Sequence, residues 1–219
     1  MLRMLFEKTG NAVWMSHLDL MRVFQRSFKR AGLLLKHTQG FNPRASVSIA
    51  LPLSVGVESR CELLDFELDG QELPCEEIME RLNDALVNGV HVLDVYENGR
   101  KLKELSLLRC AVTLEYDAGV PDEAGESIAN LFAKESLPVE KKGKNGITEQ
   151  DIIPMIRSIN VHMVDTNTLE IEAVICCQNP TLNPTQISAA IVRYLPDLHP
   201  DFTRCRRIEV YDAGENVFR

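Results

Sequence analysis

Several things this sequence lacks narrow what it can be. Its six cysteines (Cys61, Cys75, Cys110, Cys176, Cys177 and Cys205) contain no C-x-x-C pair, and the one adjacent couple lies in a strand-like run where neighbours point to opposite faces. Reduced, mostly buried thiols are therefore expected. No apolar run approaches the ~18–20 residues needed to cross a bilayer, so no membrane partner is expected. The opening Met1–Lys8 has no basic segment followed by a long apolar one, which predicts a protein that stays in the cytoplasm. There is no phosphate-binding Walker loop, no G-x-G-x-x-G and no H-E-x-x-H. The five histidines (His17, His37, His91, His162 and His199) show no ligand spacing. Neither a cofactor nor a metal is expected.

What is present is a globular composition, 45% apolar and 26% charged, on a chain long enough for one large domain or two small ones. The formal charge of −8 hides an asymmetry. Residues 1–60 hold nine basic and three acidic side chains, about +6, so the remaining residues carry about −14. A basic face on an acidic body points to an anionic partner.

Periodicity divides the chain into two α+β halves, 1–100 basic and 101–219 acidic, joined near residues 98–108. In the first, residues 2–8 read as a strand and residues 17 to 31 as a helix. Ser16 and Asp19 form a capping box, Met15 and Leu20 a hydrophobic staple, and Gly32 the closing left-handed residue. Met21, Phe24, Phe28 and Ala31 are the expected buried stripe. Strands over Ser46–Leu51 and Cys61–Leu68 follow, then a helix opened by Pro74 and ending at Gly89, then a strand over His91–Tyr96. The order β-α-β-β-α-β is the ferredoxin-like pattern. The second half partly repeats it: a strand over Cys110–Tyr116, a helix over Pro121–Ala133, and a polar tip over Lys141–Gly146. Next come a hairpin of Ile156–Val164 with Leu169–Cys177, a helix capped by Asn183 and Gln186, and a last strand over Arg207–Tyr211. Two ferredoxin-like halves with antiparallel sheets are expected.

Ser16, His17 and Asp19 are the residue types of a hydrolase triad, but neighbours at a helix start point in different directions and cannot align one. Capping explains Ser16 and Asp19. His17 is left at a helix N-terminus as a candidate general base or anion contact. Arg22, Arg26 and Arg30 recur at i, i+4, i+8, either as a solvated face or as a row for phosphates, which guanidinium groups grip well. The turn-rich loop Gln39-Gly40-Phe41-Asn42-Pro43-Arg44 adds a cation and a ring. Phe41 stands outside to stack a base, or folds into the core and leaves a plain structural turn.

Trp14-Met15-Ser16-His17-Leu18-Asp19-Leu20-Met21-Arg22, Gln39-Gly40-Phe41-Asn42-Pro43 and Leu51–Ser59 together resemble the radical-SAM-linked protein family of bacteria. Asp151–Ile156 is similar to a weaker block in that family's second half. Two departures stand out: Arg44-Ala45-Ser46 where the family continues with more cations, and Ile153 where it commonly has Arg. The resemblance implies partnership with a radical SAM protein and a link to RNA modification. Because the chain lacks the C-x-x-x-C-x-x-C that holds an iron–sulfur cluster, it is not itself the radical enzyme. The expectation is a non-catalytic partner of a radical SAM enzyme that binds RNA or another phosphorylated substrate through Arg22, Arg26, Arg30, Phe41, Asn42 and Arg44. The rivals are a metal-independent ribonuclease using His17 and a pure protein–protein module.

Overall fold

The computed structural model describes residues 1–143 and 146–219. It is a mixed α+β protein in which the recorded strand pairs described below are antiparallel. No helix among the described residues is long and apolar enough to cross a membrane. Its contacts divide it into two units, Met1–Leu102 with Arg219, and Lys103–Phe218.

The first unit runs β1 (Leu2–Lys8), a 3-10 turn over Gly10–Trp14, α1 (His17–Arg30), β2 (Val47–Ile49), β3 (Val57–Phe66), α2 (Cys75–Ala85) and β4 (Val90–Glu97). Strand β1 lies between β4 and β3, and the short β2 pairs with β3. Alternation along β1 turns Met4 and Phe6 into a core shared with Leu64 and Phe66 of β3, Phe24 and Phe28 of α1, and Ile78 and Leu82 of α2. The rings of Phe6 and Phe24 meet edge to face with centroids 4.8 Å apart.

Helix α1 starts where its cap requires. The Asp19 N–H donates to Ser16 Oγ at 3.2 Å, and the Ser16 hydroxyl donates to Asp19 Oδ2 at 2.7 Å. It ends in a Schellman turn: Gly32 takes φ +69°, its N–H reaches Lys29 O, and the Leu33 N–H reaches Phe28 O at 2.9 Å. The buried stripe is Leu20, Phe24, Ser27 and Phe28. Met21 and Ala31, expected inside, are only half-buried, because the face set by the cap centres on the i, i+4, i+8 row from Leu20.

The second unit runs β5 (Leu105–Glu115), α3 (Ala124–Phe132), β6 (Pro138–Gly143), β7 (Gly146–Asp151), β8 (Ile156–Met163), β9 (Thr168–Cys176), α4 (Thr185–Tyr194) and β10 (Phe202–Asp212). Its sheet has the order β10-β5-β9-β8, with β6 and β7 forming a separate hairpin. That hairpin corrects the expected polar tip over Lys141–Gly146, of which Lys144 and Asn145 lie outside the described residues. Strands β5 and β10 are longer than the sequence suggested: β5 also pairs through Leu107, Leu108 and Arg109 with Tyr211, Val210 and Glu209 across a bulge, and β10 starts at Phe202, pairing through Arg206 with Glu115 to Ala111. At α4 the Asn183 carboxamide accepts the Thr185 N–H at 3.1 Å and Gln186 Oε1 accepts the Asn183 N–H at 3.1 Å, a reciprocal cap.

All six cysteines are free thiols, four of them buried. Burial pushes the Cys110 thiol up to about 12 and the Cys205 thiol up to about 11. Both should resist alkylation in the native protein at pH 8 and react fully in urea, as read by mass spectrometry of labelled peptides. The raised values also fix a sign. The native thiols stay protonated where unfolded ones ionise, so their contribution to stability is full below an unfolded pKa of about 8.5 and declines as pH rises through the folded values.

Candidate nucleic-acid interface

The basic side chains of the first sixty residues do not fold alone. Their unit contains thirteen basic and fourteen acidic residues, because residues 61–102 contribute eleven acids. The first half is therefore near neutral as a body, and positive charge is local to α1 and the loop beyond it.

Along α1 the three arginines differ. Arg22 Nη1 donates to Asp19 Oδ1 at 2.8 Å, with both side chains more than half exposed. Hydrogen bonds from Ser16 and Arg22 hold the Asp19 carboxyl below its ordinary value. Arg30 Nη2 donates to Ser27 Oγ at 3.1 Å and to the carbonyl of Ala85, the last residue of α2. It forms one wall of an open groove of about 540 Å³ whose other sides include Arg81, Asp84 and Leu86. Arg26 is exposed and makes no hydrogen bond or ion pair among the described residues. Of the row, Arg26 is the cation most available to a ligand.

The loop is fastened at its neck. The Thr38 N–H donates to Arg44 O at 2.8 Å, the Arg44 N–H to Thr38 Oγ1 at 3.0 Å, and the Ser46 N–H to Lys36 O at 2.7 Å. Lys36 also pairs with Glu67 at 3.0 Å, just beyond β3. With the neck closed, Phe41, Asn42, Pro43 and Arg44 are all exposed, and Phe41 reaches 109% of its reference surface. The core reading of Phe41 is thereby excluded: the ring is in water. Among the described residues no hydrogen bond or ion pair ties this loop to α1, so the structure presents two basic elements without a recorded bond between them.

His17 is half-buried, with Nδ1 out of solvent and without a hydrogen-bond partner among the described residues. Only Nε2 is left to meet a substrate. Two of the signature blocks come together here: the Gly56 N–H donates to Val13 O at 2.8 Å, and the Trp14 ring packs over Gly56.

Sequence reading missed the polar groups beneath that junction. Lys8 is fully buried and donates from Nζ to Met15 O at 3.0 Å. By strand register it shares the helix-covered face with Ser59 and Glu62, whose carboxylate accepts the Ser59 hydroxyl at 2.7 Å. The signal was available, because Met4, Phe6 and Lys8 alternate inward together.

The second unit's sheet also carries cations, and three of its arginines meet acids. Arg109 donates to Glu172 at 2.7 Å, Arg204 pairs with Glu115, and Glu170 faces Thr113, His162 and Arg206. That face is internally neutralised and offers little to a phosphate.

Comparison with known proteins fits this picture only at the level of family and fold. The model of a family described as "Uncharacterized protein conserved in bacteria (DUF2344)" matches residues 1–184. No curated protein matches the chain. Among solved structures, a chain of a Cbf5-Nop10-Gar1 complex aligns at TM-score 0.53 and 9% identity, over 95% of this chain and 48% of that one. A chain of an H/ACA RNP bound to a substrate RNA containing 2'-deoxyuridine aligns at TM-score 0.42 and 9% identity, over 94% of this chain and 46% of that one. This chain thus spans about half the length of both solved chains, and the likeness to the first concerns the fold alone.

Proposed function

The chain belongs to the DUF2344 family of bacterial proteins, and we propose that it is a non-catalytic RNA-binding partner of a radical SAM enzyme, built from two ferredoxin-like units. The strand order within each unit supports the architectural part. In the first, β1 is flanked by β4 and β3 with β2 on β3; in the second, β5 is flanked by β10 and β9 with β8 on β9. The radical SAM part rests on the resemblance of the Trp14–Arg22, Gln39–Pro43 and Leu51–Ser59 blocks.

The observation that carries the RNA reading is the exposed Phe41 ring on the loop that also exposes Arg44. A solvated phenyl group on a loop whose neck is held by four polar contacts has no structural use for its apolar surface. Stacked on a base it would lose that exposure, and a neighbouring guanidinium suits the adjoining phosphate. Arg26, which makes no hydrogen bond or ion pair among the described residues, and Arg22, paired only at the surface, supply further phosphate contacts. RNA is favoured over a small phosphorylated ligand because exposed cations and a ring on two surface elements suit an extended strand.

The test is fluorescence anisotropy of a labelled, mixed-sequence single-stranded RNA. Phe41→Ala should weaken binding about 5- to 150-fold, the ~1–3 kcal/mol attributed to one stacked base. If Arg22, Arg26 and Arg44 meet phosphates, affinity should fall about 20-fold between 50 and 200 mM salt, and the Arg22/Arg26/Arg44→Ala variant should lose that dependence. Binding that ignores both salt and Phe41 would defeat the proposal, and RNA cut in a His17-dependent way would replace it with the nuclease.

A further inference from the structure

The edge strands β4 of the first unit and β8 of the second are finished differently. On β4 the Asn83 side chain, reaching from α2, donates to Val92 O at 3.0 Å and accepts the Val92 N–H at 2.8 Å. That carboxamide occupies the place of a further strand, and Asp94 and Glu97 add negative charge along the same strand. Strand β8 has no such plug. The Val164 N–H donates to Thr168 O, so the alternation of an antiparallel ladder turns His162, Asn160 and Ser158 towards β9. The main-chain groups of Ile159, Val161 and Met163 therefore point outward, and among the described residues they have no partner. Met163 and Val164 are more than half exposed beside them.

We propose that this edge pairs antiparallel with β8 of a second copy of the chain, on a two-fold axis at Asn160. The sequence is self-complementary in that register. Asn160 lies opposite Asn160 of the second copy, amide to amide. Ile159 lies opposite its Val161, closing a main-chain hydrogen-bonded pair from the groups that point outward. Ser158 lies opposite its His162 on the polar face. The one permanently charged residue of the strand, Arg157, lies at the register shift that ends the regular ladder and falls at the end where Met163 and Asp165 of the second copy lie, so opposite charges approach and no like charges meet. A heterologous peptide would satisfy the same backbone groups, but nothing on the strand selects one, whereas self-pairing satisfies each position at once.

Multi-angle light scattering of the full chain from micromolar to submillimolar loading should show a mass rising towards twice 24.7 kDa. Val161→Pro removes an outward N–H without touching the ladder to β9 and should hold the protein monomeric, with circular dichroism unchanged. Asn160→Cys provides the second readout. A non-hydrogen-bonded pair sits about 4.5 Å apart at Cα, within the span of a disulfide, so mild oxidation should yield a covalent dimer that the wild type does not form. A wild-type monomer at every concentration overturns the proposal and leaves the edge to another protein. A dimer that survives Val161→Pro and gives no Asn160→Cys cross-link overturns it too. Both readouts are independent of RNA.

Discussion

Asp65→Ala should cost the protein about 3–5 kcal/mol, the largest loss expected from any single side-chain deletion here. Asp65 lies directly opposite Arg3 on neighbouring strands and takes its guanidinium side on, with Nε at 2.6 Å and Nη2 at 3.0 Å. The remaining arm, Nη1, donates to Arg100 O at 2.8 Å. The Arg3 side chain is 6% exposed and that of Asp65 13%. Burial works against the guanidinium charge, yet the hydrogen bonds and charge of Asp65 outweigh it and raise the Arg3 pKa. Deleting the carboxylate leaves a buried cation without that compensation. The chain segment over it cannot simply collapse inward, since a Cβ on Gly99 would already stand 2.8 Å from Arg3 Nη1. Urea unfolding monitored by circular dichroism should show the midpoint falling at unchanged slope. Two comparisons separate this from mere loss of a contact. Arg3→Met/Asp65→Leu should recover much of the stability, because no charge is then buried. Arg22→Ala, which breaks the exposed Arg22–Asp19 pair, should leave the midpoint close to the wild-type value, since solvent screens that pair.

The Arg3–Asp65 pair also marks the limit of what the sequence disclosed. Local signals survived well. The Ser16 cap and Gly32 placed α1 to within a residue, and alternation found β1, β4, β8 and β9, because caps and face periodicity depend on neighbours within a few positions. Pairings across long separations were silent. Nothing near Arg3 names a carboxylate sixty-two residues on. The β6–β7 hairpin hid in a charged, glycine-containing stretch that reads as a tip, since its stability comes from packing on α4, where the Tyr194 hydroxyl donates to Pro138 O at 2.8 Å. At the candidate site, residue types were legible but states were not. The sequence left Phe41 either stacked in the core or standing in water, and treated Arg22, Arg26 and Arg30 as equivalent. Tertiary contacts decided each case: a closed loop neck put Phe41 outside, and the end of α2 claimed Arg30.

Gly89→Ala should cost about 2–5 kcal/mol, and the reason lies in what the new methyl group would strike. Gly89 takes φ +86°, where a side chain alone costs about 1–2 kcal/mol. Its Cβ would stand 2.4 Å from Thr9 O and 2.8 Å from the Ala12 Cβ. Both belong to the segment between β1 and α1, and the Gly89 carbonyl accepts the Thr9 N–H at 2.7 Å, so the two strands of chain are already locked together. The obstruction is backbone, which cannot rotate away as a side-chain end can, and overpacking of this kind adds about 1–3 kcal/mol. Gly32→Ala isolates the two contributions. Gly32 also has positive φ, +69°, but nothing lies within 4 Å of its Cβ position, so it should lose only the conformational part. If both variants fall equally in urea midpoint, the close approach is not what selects glycine at position 89. The loss should also reach the proposed interface. The displaced Thr9–Ala12 segment continues through Trp14 and Met15 to the Ser16 cap, so relief of the clash moves the helix that carries Arg22 and Arg26. Gly89→Ala should therefore weaken RNA binding under conditions where the protein remains folded, while Gly32→Ala, at the far end of α1, should leave it near the wild-type value.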